Sequence, residues 1–83
     1  MTVVVIEDSR LIRVAIERKL AKEGYAVVAT GDGREGLRLA VELRPDLILL
    51  DMMLPSLEAT VLSGLKHTCD TESIPIVVPS SLP

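Results

Sequence analysis

Residues 3–6 (Val-Val-Val-Ile) and 47–50 (Leu-Ile-Leu-Leu) are unbroken aliphatic runs, and each leads directly into acidic residues. Such runs fit strands covered on both faces, as in a parallel sheet, better than strands with one wet face. Glu7-Asp8-Ser9 ends the first, and Ser9 can cap the next helix, expected from Arg10 to about Glu23. Leu11, Ile12, Ala15, Ile16 and Leu20 share one helical stripe there, and Gly24 serves as the stop. Residues 25–30 read as a second strand, closed by the turn Gly31-Asp32-Gly33. Asp32 and Glu35 have capping-box spacing and open a helix through about Leu43, with Leu37, Ala40, Val41 and Leu43 inward and Pro45 beyond. After Asp51 a short loop leads to a third helix near residues 57–67, with Leu57, Val61, Leu62 and Leu65 on one face. A polar loop at 68–73 then precedes a fourth strand at 74–78. The order is β-α-β-α-β-α-β, for which parallel pairing and right-handed crossovers are the default.

Composition narrows the class. At 83 residues and 48% apolar, the chain has room for one small domain with an aliphatic core, not for a disordered tail. Net charge is −3, and the cluster Arg10, Arg13, Arg18, Lys19 and Lys22 is interrupted by Glu17 and Glu23, so direct nucleic-acid binding is not expected. A lone Cys69 excludes a disulfide framework and suits a reduced cytoplasmic setting. No apolar run approaches the roughly 20 residues that cross a bilayer, and Met1–Asp8 lacks the shape of a signal peptide.

The chemistry lies where the strands end. Glu7-Asp8 closes the first strand and Asp51 the third, and open parallel sheets bind ligands outside their carboxyl ends. If those strands are neighbours, three carboxylates converge, and their repulsion requires a proton or a cation among them. A hard divalent ion with oxygen ligands, Mg²⁺ above all, suits such a site. A carboxylate held there can also attack a phosphoryl group, which gives Asp51 a second role. His67 reads as an exposed residue near a helix C-terminus, and Gly31-Asp32-Gly33 lacks the further glycines and Lys of a phosphate loop. Cys69 reads as a small filler near a loop, and Met52 and Met53 as residues that shape theirs.

In these motifs the chain resembles the receiver domain of bacterial two-component response regulators. Residues 3–9 match that family's first strand and acidic pair, residues 47–55 its phosphoacceptor strand and loop, and residues 74–78 its fourth strand. The resemblance implies a flavodoxin-like, doubly wound α/β sheet of order 2-1-3-4, the last βα units missing. It implies that Asp51 accepts a phosphoryl group from a histidine kinase or phosphotransfer protein, with Mg²⁺ held by Asp8, Glu7, Asp51 and the backbone carbonyl of Met53. Ser80 stands where the family keeps its switch hydroxyl. The module would act on an output domain or target protein and be no enzyme beyond catalysing its own phosphotransfer and dephosphorylation.

Departures qualify the match. The family's domain continues into another helix, a fifth strand and a final helix, so residues 1–83 are expected to form a single receiver-like domain truncated after the fourth strand. The phosphoryl-pairing Lys and the fifth-strand aromatic residue that reads the switch would go with those elements. The open fourth-strand edge would invite self-association. Ala59 stands where the family usually has Gly, and Pro79 precedes Ser80. The alternative is therefore a phosphorylation-independent interaction or oligomerisation element. A haloacid-dehalogenase-like phosphatase would need an acid two residues after the nucleophile, where this chain has Met53. A dinucleotide-binding domain would need glycines where Glu7-Asp8-Ser9 stands.

Overall fold

The computed structural model describes residues 1–79. Its elements run β1 (Thr2–Glu7), α1 (Arg10–Lys22), β2 (Ala26–Thr30), α2 (Gly33–Leu43), β3 (Leu47–Asp51), α3 (Pro55–Lys66) and β4 (Ile76–Val77). The strands form one sheet in the order β2-β1-β3-β4, parallel throughout. Because β2 and β3 flank β1 on opposite sides, right-handed crossovers lay α1 on one face and α2 on the other. The expected doubly wound architecture is present, and its topological switch falls between β1 and β3.

β1 is central, and Val3, Val4, Val5 and Ile6 are all buried, which explains why it shows no alternation of polar and apolar residues. Val4, Ile6, Ile48 and Leu50 join Ala40 of α2 and Val61 and Leu65 of α3 in the main core. Gly36 lets α2 settle close to the sheet: a Cβ there would stand 2.5 Å from Cδ1 of Ile6. Gly24 ends α1 with φ +95, a left-handed conformation that suits glycine.

The expected elements hold, but several details differ. The inward side of α1 follows Arg13, Ile16, Glu17 and Leu20, all partly buried, whereas Leu11 is 83% exposed and Ala15 is exposed. The true stripe includes two charged residues, which a purely apolar pattern passes over. On α2, Gly36 and Ala40 are the buried residues, while Val41 and Leu43 are exposed. Leu57 is likewise exposed on α3. The Asp32 cap forms, accepting the Arg34 N–H at 3.0 Å, but the Asp32 N–H donates to Thr30 Oγ1 at 3.2 Å. A threonine hydroxyl two residues back thus takes the place that the capping box assigned to Glu35.

α3 starts at Pro55, earlier than expected, since proline at the first helical position loses no bond that a helix would otherwise make. Conversely, β4 is shorter than expected. The Ile74 N–H turns back to Thr71 O at 3.1 Å, and Pro75 has only its carbonyl to offer the ladder, accepting the Ile48 N–H at 3.0 Å. No helix among the described residues is long and apolar enough to cross a membrane.

Candidate functional site

The register of β1 on β3 builds the site. Val3 pairs with Leu47, and the ladder continues in step to Glu7 opposite Asp51. Neighbouring strands lie about 4.8 Å apart, and residues level with one another project to the same side. The two carboxylates are therefore adjacent, at the carboxyl edge of the sheet and beside the switch point. Like charges placed directly opposite destabilise a strand pair unless something neutralises them.

Glu7 bears that conflict. It is 2% exposed, and while one carboxylate oxygen, Oε1, accepts the Ser9 N–H at 3.2 Å, Oε2 is buried without a hydrogen-bond partner. Burial raises its pKa most, from 4.5 to about 7. A hydrogen bond that protonated Glu7 can donate to the Asp51 carboxylate, and the charges of Asp51 and Asp8, push the same way, against the Ser9 N–H. The backbone carbonyl of Glu7 is satisfied separately, accepting from Arg13 Nη1 at 2.9 Å. Ser9 caps α1, as expected, by accepting the Ile12 N–H at 3.5 Å.

Asp8 reaches across to the loop after β3, where the Met53 N–H donates to its Oδ1 and Oδ2 at 3.0 and 3.1 Å. Met52 is held from the other side, its N–H donating to Glu58 Oε2 at 3.1 Å. Glu7, Asp8, Asp51 and Met53 are thus brought into one neighbourhood, as the sequence led one to expect. Yet among the described residues no three His, Cys, Asp or Glu side chains are gathered into a ready metal cage. Ser80 lies outside the described residues.

The donor set nonetheless suits a hard cation. It is all oxygen, and Glu7 Oε2 is a buried lone-pair site with no donor. Two features were not singled out from the sequence: Arg13 over the end of β1, and Glu58 behind the β3–α3 loop. The spacing of Glu58 to Met52 is the one signal available, an acid in the first turn of a helix that follows a site loop. A cavity of about 510 Å³ also opens beside Asp8, floored by Leu37, Met52 and Val61 and rimmed by Asp32 and Arg34. His67 is exposed at the end of α3, its Nδ1 2.8 Å from the Ser63 carbonyl, and Cys69 is exposed with a free thiol.

A doubly wound parallel sheet with acidic residues at the ends of β1 and β3 defines the receiver class of signalling domains. The chain belongs to the response regulator receiver domain family, whose model matches residues 3–81. It is 40% identical to the protein-glutamate methylesterase/protein-glutamine glutaminase of Archaeoglobus fulgidus over 99% of this chain but 23% of that protein. It is 36% identical to the transcriptional regulatory protein AfsQ1 of Streptomyces coelicolor over 93% of this chain and 33% of the relative. The chain therefore spans about a quarter to a third of these curated relatives. Among solved structures, the N-terminal domain of a response regulator receiver protein from Methanoculleus marisnigri superposes with a TM-score of 0.85 at 32% identity, covering 93% of this chain and 63% of that one. Chemotaxis protein CheY4 of Vibrio cholerae gives 0.84 at 28% identity, with 93% and 65% covered.

Proposed function

We infer that this chain is a phospho-accepting signalling module in which Asp51 takes a phosphoryl group from a histidine kinase or phosphotransfer protein. The observation that carries this reading is the in-register pair Glu7–Asp51 with a buried, unpartnered Glu7 oxygen. When both groups are ionised, a pair of this kind calls for a proton or a cation between them, and the site lies at the carboxyl edge of the sheet, where a phosphoryl group can reach it.

In the proposed reaction an Asp51 carboxylate oxygen attacks phosphorus. The bond from phosphorus to the donor's imidazole nitrogen breaks, and its electron pair leaves with the imidazole. Glu7, Asp8, Asp51 and the Met53 carbonyl would hold Mg²⁺, which when bound offsets the negative charge of the phosphoryl oxygens. Glu7 supplies buried charge, Asp8 ties β1 to the Met53 loop, and the strand register keeps Asp51 level with Glu7. The downstream partner is an output domain or a separate target protein, and the working compartment is the cytoplasm.

Incubation of the chain with Mg²⁺ and acetyl phosphate tests this. The expected result is the mass of one phosphoryl group gained by the native sequence and none by Asp51→Asn. No gain in the native sequence would reject the reading. One observation favours a second reading, a phosphorylation-independent interaction element: both Asp8 oxygens are already engaged by the Met53 N–H. That reading requires Asp51→Asn to leave partner binding unchanged.

A further inference from the structure

The two backbone N–H groups after the phosphoacceptor are held by two different carboxylates. Glu58, from the first turn of α3, takes the Met52 N–H at 3.1 Å, and Asp8, from the end of β1, takes the Met53 N–H at 3.0 and 3.1 Å. The two methionines differ in burial. Met52 is buried and packs in the main core, and Met53 is 76% exposed. Met52 is thus fixed through both its side chain and its N–H, whereas Asp8 is the acceptor for the Met53 N–H.

This asymmetry matters because Asp8 has two demands on it. A cation bound at Asp8 would compete with the Met53 N–H for the carboxylate's lone pairs and weaken that bond. Glu58 sits behind the loop, and its bond to Met52 is partly shielded from water, where a charge-assisted bond holds firmly. The Met53 carbonyl, expected to face the cation, follows Met52 by a single residue, so its position depends on what fixes Met52.

We propose that Glu58 is a positioning residue of the phosphoacceptor loop, anchoring Met52 so that the loop keeps its place when a divalent cation draws Asp8 away from the Met53 N–H. The inference rests on the cation site proposed above for Glu7, Asp8, Asp51 and the Met53 carbonyl. It makes the loop a hinge between one permanent clamp and one exchangeable clamp. Partners that orient a metal's direct ligands typically change its affinity by about 10- to 100-fold when removed.

Calorimetric titration with MgCl₂ and residue-resolved amide exchange on the full chain test this. In the native sequence, MgCl₂ is expected to speed exchange of the Met53 N–H several-fold and to leave the Met52 N–H protected. Glu58→Ala is expected to bind Mg²⁺ about tenfold more weakly, with faster Met52 exchange even without the metal. Glu58→Gln keeps an oxygen acceptor and is expected to restore both readouts, which a general loss of folding could not do. The inference is overturned if Glu58→Ala leaves Mg²⁺ affinity and Met52 exchange at native values, or if Glu58→Gln behaves like Glu58→Ala. It is also overturned if Met53 keeps its protection in saturating MgCl₂. Absence of Mg²⁺ binding by the native chain would instead remove the proposed cation site, and the Met52 exchange of Glu58→Ala would still decide whether Glu58 holds the loop.

Discussion

The two faces of the sheet are built from equally aliphatic strands and are covered to different depths. On one face α2 and α3 pack against each other and over both β1 and β3, and Ile48, Leu50, Val61 and Leu65 are buried. On the other, α1 covers β1 and β2, no residue of the helix is fully buried, and Leu47 and Leu49 of β3 stay partly open. Glu7 and Asp51 follow the alternation of Val3, Val5, Leu47 and Leu49, so they belong to this second face, where β1 is buried and β3 is the more open strand. One face holds the main core, and the other carries the Glu7–Asp51 pair. The contrast shows that strand hydrophobicity reports what a strand is able to bury, while the neighbouring helices decide what is buried.

The largest effects should come from the deep face. Leu50→Ala removes a fully buried side chain from that core and is expected to cost about 2–5 kcal/mol in urea unfolding; a cost below about 1 kcal/mol would erase the contrast. Next is the pH dependence set by Glu7 on the α1 face. Its pKa is raised from 4.5 to about 7, so between those values the folded chain holds a proton that the unfolded chain has released. Stability from this group is complete below pH 4.5 and is lost as pH rises through about 7, by on the order of 3 kcal/mol. Glu7→Gln should flatten that slope, as should Mg²⁺ if the proposed site forms; unfolding midpoints at pH 5 and pH 8 provide the check.

Gly36→Ala tests packing on the deep face from the opposite direction. The added methyl meets Ile6 and should cost about 1–3 kcal/mol, and an unchanged melting temperature would show that α2 can back away from the sheet. Leu11→Ala, on the outer side of α1, should shift stability by no more than about 0.5 kcal/mol. A large loss there would mean that something covers α1 in solution. Sedimentation velocity on the native chain would then show whether the cover is a second copy, through either α1 or the β4 edge, where Val77 is 45% exposed.

Much of this was readable from residue order. Unbroken runs ending in acid marked β1 and β3, Ser9 and Gly24 marked the limits of α1, and the two acidic strand ends pointed to one site. What escaped was information carried by single polar contacts. Arg13 lies inward because its guanidinium finds the Glu7 carbonyl, and Glu58 matters because it finds a backbone N–H six residues earlier. Neither contact leaves a trace in hydrophobic periodicity. The limits of β4 depended on where the N–H of Ile74 turned and on which bond Pro75 could not make, which are questions of backbone geometry. The polar run 68–73 reads as a loop, yet Thr71 within it is fully buried, its hydroxyl donating to Leu65 O at 2.6 Å.

The step-for-step pairing of β1 with β3 has one further consequence. A strand displaced by a single residue presents its opposite set of side chains. Sliding β3 by one place would bury different leucines and, in the same movement, turn Asp51 away from Glu7. The aliphatic residues of β1 and β3 therefore act as the gauge that spaces the acids, and a misaligned sheet would part them. Whatever neutralises the Glu7–Asp51 pair can do so only in the correct alignment, so a bound cation would also serve as a proofreader of the fold.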